Sequence, residues 1–294
     1  MAIERQHYVP QGFLKGFHVQ GKNTDKFIWA YNKTPLHRPR EVSIKSVAWK
    51  SFYYEQETEN GEKETDALEK AFAENIDNVV PPIINSIDAI PGKIVNLNEQ
   101  HIGTLAYFIG ITLTRVPNFR EGTKEFFSKI AQMTLNHLAD KDQQVADLIE
   151  KYDIKAEAKE WVSLEPMLLC AQQIAHSALQ KNWQFFKAPD DISLITSDNP
   201  VHFSISKEYG ISDYGPAHPM AELIINLRRD LALVVTPKNS ESKNIVFRMT
   251  KQEAKKFNRG VAKAARRFVF ADHYSDGLEK LTKKYSDQKL AIVV

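Results

Sequence analysis

Leu223-Ile224-Ile225-Asn226-Leu227 and Leu231-Ala232-Leu233-Val234-Val235-Thr236 are two apolar, β-like runs in the last third of a 294-residue chain, and the company they keep decides the fold class. Trp183 to Lys187, Ser193 to Thr196, Val201 to Ser206 and Asn244 to Met249 have the same aromatic and β-branched character. Turn residues separate them at Pro189-Asp190, Asp198-Asn199-Pro200, Tyr214-Gly215-Pro216 and Pro237-Lys238-Asn239. A helix over Lys251 to Arg266 and short strands at Arg267 to Ala271 and Leu290 to Val294 complete the region.

Upstream the period changes. Leu68, Phe72, Ile76 and Val79 recur at helical spacing, and Pro81-Pro82 is expected to close that helix. Asn98 is a good N-cap for a second helix, which should stop near Arg115 because Val116 precedes Pro117. A third helix is expected over Thr123 to Leu138 and a fourth over much of Lys155 to Trp183. The charged, weakly periodic Asp140 to Glu160 between them reads as a mobile or insertable segment. Before Thr65, strands are expected at Lys26 to Tyr31, Glu41 to Val47 and Ser51 to Glu55, and an exposed loop at Gln56 to Glu64. Strands, then helices, then strands and a helix give an α+β fold: short amino-terminal strands, a helical middle and a mainly antiparallel carboxy-terminal sheet flanked by a basic helix. The expected organisation is a single domain over residues 1–294, with a helical subregion 65–182 between strand regions 1–64 and 183–294.

Charge gives no mandate for nucleic acid, since 39 basic residues balance 37 acidic ones. A lone cysteine, Cys170, excludes an intrachain disulfide and suits a reducing compartment. It lies on an apolar helix face, with His176 about 240° round the helix, and reads as a buried small residue rather than a nucleophile. Met1 to Gln6 is polar, and the longest apolar run, Leu105 to Leu113, falls far short of the roughly 20 residues of a membrane helix. The expectation is a soluble, cytoplasmic protein with no membrane partner.

Three short motifs stand out: His7-Tyr8-Val9-Pro10-Gln11-Gly12-Phe13-Leu14-Lys15-Gly16-Phe17, Arg115-Val116-Pro117 and Ser197-Asp198-Asn199-Pro200. Through them the chain resembles, over most of its length, a bacterial family catalogued as domain of unknown function 4238. Ile224-Ile225-Asn226-Leu227 departs from the proline-led strand start expected there. The resemblance singles out these residues and implies no particular reaction.

Each candidate has two readings. His7 suits a general acid or base, a phosphate donor or a metal ligand; equally, backbone groups could satisfy both its nitrogens. Gln11 would share a face with His7 only if the helix ran back through Pro10, which proline disfavours. Asp198 suits a base or a divalent-cation ligand and Asn199 an orienter of substrate oxygen, yet a tight turn uses the same residues. In that bland case Asp198→Asn should be nearly silent. Arg115 suits carboxylate or phosphate recognition, or simply complements a helix C-terminus. Lys251, Lys255, Arg259, Lys263 and Arg266 form a basic stripe backed by Ala254, Phe257, Val261 and Ala265, able to follow phosphates or merely to be solvated.

Two functions of different class follow. One is a hydrolase-like enzyme acting on nucleic acid or a nucleotide. It would use His7, Asp198 and Asn199 catalytically, Gln11, Arg115, Lys255, Arg259 and Lys263 to hold a nucleic acid or phosphorylated small molecule, and a divalent cation as the cofactor its carboxylate could take. The other is a non-catalytic ligand- or partner-binding, sensing protein. Catalysis needs His7, Asp198 and Arg115 to converge on one cleft. The amino-terminal motif is expected to pack on the carboxy-terminal strand region.

Overall fold

The structure is a computed structural model that describes residues 3–19, 26–58, 60–205, 214–238 and 244–286. It opens with β1 (Arg5–His7) and a short helix α1 (Gln11–Leu14), started by Pro10 and extended by a 3-10 turn at Lys15–Phe17. Short strands follow: β2 (Phe27–Asn32), β3 (Arg40–Ser43), β4 (Trp49–Ser51), β5 (Gln56–Glu57) and β6 (Lys63–Glu64). The helical middle holds α2 (Ala67–Phe72), which runs into a π-helical segment at Ala73–Asp77, then α3 (Val80–Ser86) and α4 (Glu99–Thr114). It continues through α5 (Pro117–Lys141), α6 (Gln143–Tyr152) and α7 (Leu164–Leu179). The last third contains β7 (Asn182–Lys187), β8 (Thr196–Ser197), β9 (Val201–Ser204), β10 (Glu222–Arg228), β11 (Leu231–Thr236) and β12 (Ile245–Arg248). It closes with α8 (Lys251–Ala264), β13 (Phe268–Ala271) and α9 (Asp276–Lys283). The fold is α+β in the expected order. The expected strand at Leu290 to Val294, Ser206 and Asn239 lie outside the described residues.

The two opening runs pair antiparallel, with Leu223 opposite Val235 and Ile225 opposite Leu233. They sit inside a five-stranded sheet of order β12-β7-β11-β10-β9, antiparallel except where β12 runs parallel to β7. A second sheet, β3-β2-β13-β8, joins early and late strands of the chain: Phe268 pairs with Asn32 and Ala271 with Trp29.

Several boundaries moved for identifiable reasons. Pro81 and Pro82 start α3 rather than ending a helix, because a first-turn residue has no intrahelical amide bond to lose. Pro117 likewise begins α5 directly behind α4, so the third helix starts earlier than Thr123. The fourth helix is only α7, since Asp153 adopts a left-handed conformation (φ 46°) that ends α6. The segment Asp140 to Glu160 therefore contains a helix, though none of α6 is buried. β4 stops at Ser51 and the chain turns at Phe52 (φ 48°), which lets consecutive Tyr53 and Tyr54 both enter the core. A strand would have sent them to opposite faces. The Gln56 to Glu64 loop holds the β5–β6 hairpin, and Glu41 to Val47 breaks at Ile44 into a 3-10 turn.

One apolar cluster runs from Tyr8 to Phe270. At its centre α4 crosses α7 so closely that a Cβ on Gly110 would stand 2.3 Å from the carbonyl oxygen of Ala171. The amino-terminal motif is part of this core: Phe13, Leu14 and Phe17 are buried, and the Phe13 ring meets Phe108 at 5.4 Å. The Arg229 amide donates to the Gly16 carbonyl at 3.0 Å, which seats the motif on the end of β10 as expected. Among the described residues, no helix is long and apolar enough to cross a membrane.

Candidate functional site

β1 delivers His7 into a buried polar cluster beside Tyr54, Glu69, Asp77 and Arg115. The Tyr54 hydroxyl donates to the His7 carbonyl at 3.1 Å, and the His7 amide donates to Glu69 Oε1 at 3.4 Å. Gln11 Nε2 lies 3.4 Å from His7 Nδ1. The contact forms even though Pro10, in an extended conformation, separates β1 from α1. With Gln11 donating to Nδ1, the proton of the neutral ring belongs on Nε2. Burial lowers the His7 pKa, and the nearby Lys45 carbonyl pulls the other way. Yet Nε2 itself is buried and makes no hydrogen bond of acceptable geometry.

The remaining members come from two helices. Arg115 caps α4 and is fully buried, with Nη2 and Nη1 reaching the two Asp77 oxygens at 2.9 and 3.4 Å and its guanidinium 5.5 Å over Phe72. Its Nε has no acceptor. Burial pushes the Arg115 pKa down, but Asp77 and the hydroxyl of Tyr54 more than restore it, so its net shift is upward. Glu69 Oε2 is a third buried atom without a partner, and burial raises the Glu69 carboxyl from its ordinary 4.5 to about 7. Glu69 and Asp77 stand eight residues apart, about 80° out of phase on an uninterrupted α-helix. The wider π turn at Ala73–Asp77 absorbs one residue and swings Asp77 back to the side of Glu69.

Asp77 is shared with a cleft of about 550 Å³ that Lys15, Arg228 and Arg229 also line. Gly12 forms its edge, where a Cβ would stand 2.7 Å from Pro81 Cγ and 3.1 Å from the Asp77 carbonyl. Arg228 is locked in place by Asp230 at 2.7 Å and by the carbonyls of Ile84 and Ile87 at 2.9 and 3.0 Å.

Asp198 and Asn199 make no hydrogen bond or ion pair to this cluster. Asp198 is buried behind β13, where Oδ1 accepts the Arg266 amide at 2.8 Å and Oδ2 those of Arg267 and Phe268 at 2.8 and 3.0 Å. Burial raises its pKa, and these three amides draw it part of the way back. Asn199 Nδ2 donates to the Ala264 carbonyl at 2.9 Å, and Ser197 Oγ donates to the Asn199 carbonyl at 2.8 Å. The turn thus ties the end of α8 to the start of β13. That geometry corrects the expectation for Asp198→Asn: with three amides to serve, an Asn oxygen cannot replace the carboxylate silently.

Lys255, Arg259 and Lys263 are exposed along α8, whose first turn is closed by a reciprocal Thr250–Glu253 capping box. They do not meet His7 or Arg115. Cys170 is half-buried and its thiol pKa raised by burial, in keeping with a packing role. Among the described residues, no three His, Cys, Asp or Glu side chains gather to hold a metal ion.

The sequence singled out His7, Gln11 and Arg115, which the structure brings together, but not Glu69 and Asp77. Both sit beside the apolar stripe of an ordinary-looking amphipathic helix, and only the π turn puts them in phase. Comparison with the curated proteins and with the solved structures finds no match. The family model described as "Protein of unknown function (DUF4238)" matches residues 5–275, a span that takes in every member of this cluster, and the chain belongs to that family.

Proposed function

We propose that this protein is a hydrolase-like enzyme acting on a nucleotide or nucleic acid, with its chemistry at His7 and Glu69. The observation that carries the reading is the set of three buried, unpartnered polar atoms, His7 Nε2, Glu69 Oε2 and Arg115 Nε, in one cluster. Leaving such atoms unsatisfied costs about 1–3 kcal/mol each, and a bound substrate would supply their partners. In this reading Glu69, poised near neutrality, takes the proton of a water whose oxygen bonds to phosphorus and returns it to the leaving oxygen as that P–O bond breaks, while neutral His7 donates a hydrogen bond from Nε2 to the same oxygen and keeps its proton. Arg115 fixes the developing negative charge while Asp77 fixes Arg115. The cleft past Asp77, which Lys15, Arg228, Arg229 and Asp230 also line, is the substrate's approach. Of the three side chains expected to converge for catalysis only His7 and Arg115 do so; Asp198 and Asn199 hold the end of α8 to β13 and take no part in the chemistry, and the setting is the cytoplasm.

The test is turnover of bis-p-nitrophenyl phosphate, nucleoside triphosphates and single-stranded RNA by the full chain and by Glu69→Gln and His7→Ala. Both variants should lose activity by at least about 100-fold, the usual contribution of a general acid or base. Stability gives a second readout with a fixed sign. A carboxyl whose folded pKa lies above its unfolded value binds more protons when folded, so stability falls as pH rises from 4.5 to about 7. Glu69→Gln should remove that loss, leaving the variant more stable than the parent at pH 8 by on the order of 1–2 kcal/mol after allowing for partial solvent screening. A wild-type chain inert on every substrate would end the hydrolase reading.

A second reading, a non-catalytic binding protein, draws on the cleft of about 1090 Å³ beside α7. Gln172, Gln173, Gln180 and Gln184 line it beside His176, Ser177 and Lys181, an amide-rich wall suited to hydrogen-bonding a polar ligand. Retained thermal-shift responses to ligands in His7→Ala would favour it.

A further inference from the structure

α8 and α9 pack beside the 191–193 turn and leave a cavity of about 370 Å³ between them, apart from the cleft beside Asp77. Lys255 and Arg259, one turn apart on α8, line it together with His273. Ile192, Leu278 and Leu281 supply an apolar wall.

The floor is fixed. Asn258 is buried, accepting the Ile195 amide at 3.1 Å and donating to the Ser193 carbonyl at 2.9 Å. The Ser193 hydroxyl donates to Asp272 Oδ2 at 2.9 Å, and Asp272 Oδ1 holds His273 Nδ1 at 2.6 Å. That pairing raises the His273 pKa and leaves Nε2 as the ring's remaining donor.

The charge balance is lopsided. Lys251, at the start of α8, is neutralised by Asp191 at 2.5 Å, and Arg266 by Glu121. The acids at the start of α9 are also engaged, Asp276 by the Tyr274 hydroxyl at 2.6 Å and Glu279 by Lys283 at 2.6 Å. Lys255 and Arg259 have no ion-pair partner among the described residues. Asp191, already paired with Lys251, also lines the cavity and lies within electrostatic reach of Lys255. Two cations without an ion pair and an imidazole donor thus share, with one acid, a small cavity with an apolar side, and its volume suits a small ligand rather than a duplex.

We propose that this cavity is a second site that binds a nucleoside monophosphate, with Lys255, Arg259 and His273 on the phosphate and Ile192, Leu278 and Leu281 against the base. Lys263, on the same basic stripe, does not line the cavity, which separates a built pocket from a diffuse cationic face. The inference stands independently of any chemistry at His7.

Calorimetric titration of the full chain with AMP tests it, using Lys255→Gln, Arg259→Gln and Lys263→Gln variants with parental melting temperatures. AMP should bind, Lys255→Gln and Arg259→Gln should each weaken it by about tenfold or more, as expected for one charge-assisted hydrogen bond, and Lys263→Gln should leave it unchanged. Three results would overturn the proposal. One is no binding at millimolar AMP. Another is a loss in Lys263→Gln equal to that in Arg259→Gln. The last is unchanged affinity in both Lys255→Gln and Arg259→Gln, which would put the nucleotide elsewhere.

Discussion

Asp198 shows how one side chain can be read in two ways until its partners are counted. A carboxylate at the end of a strand suits chemistry, but here its two oxygens hold three amides that no secondary structure satisfies. Asparagine retains one acceptor. Placed at the Oδ2 position it keeps Arg267 and Phe268 and turns its own NH2 against the Arg266 amide. Removing a buried charge that burial already disfavours returns part of the loss, so Asp198→Asn should cost about 2 kcal/mol. Asp198→Ala, which frees all three amides, should cost about 3–5 kcal/mol or prevent folding. Urea titration of both variants measures the difference, and an asparagine variant as stable as the parent would return Asp198 to the list of chemical groups.

At the scale of elements, two local devices shape the molecule. The π turn in the helix after α2 brings Asp77 into register with Glu69 and Arg115, so the polar cluster depends on one accommodated residue. The other device is the close crossing of α4 and α7 at Gly110. Alanine is favoured over glycine within a helix by roughly 0.5–1 kcal/mol. Against that, a Cβ 2.3 Å from the Ala171 carbonyl oxygen must push two backbones apart, an overpacking cost of about 3 kcal/mol or more. The clash wins, and Gly110→Ala should lower the melting temperature. Gly103, on the same helix, meets nothing within 4 Å, so Gly103→Ala is the matched control and should be neutral or stabilising.

Across the whole molecule, an early strand, β2, and a late one, β13, share a sheet, and the amino-terminal motif is buried among later elements. Tyr8, Val9, Phe13, Leu14 and Phe17 are all in the main apolar cluster. Burying a large apolar side chain contributes roughly 1.5–3 kcal/mol, so these five together match the 5–15 kcal/mol by which a typical domain is stable. Deleting residues 2–17 should therefore abolish cooperative unfolding altogether, and near-ultraviolet circular dichroism during a thermal ramp will show it. A truncated chain that melts like the parent would mean the motif contributes contacts without stability.

Periodicity and turn chemistry alone determined the α+β order, the positions of most helices and the antiparallel character of the last sheet, because burial of one face imposes a repeat on each segment separately. The short motifs His7 to Phe17 and Arg115-Val116-Pro117 marked His7, Gln11 and Arg115 through the family resemblance and their residue types, not through periodicity. Tertiary structure alone decided that β13 joins β2, that β12 runs parallel to β7, and that Glu69 and Asp77 complete the cluster around His7. Strand partnership and electrostatic company depend on segments far apart in sequence, and a helix that bends its phase by one π turn leaves its apolar stripe intact. A one-residue shift that moves a carboxylate into a site therefore leaves almost no trace in the pattern of hydrophobic residues.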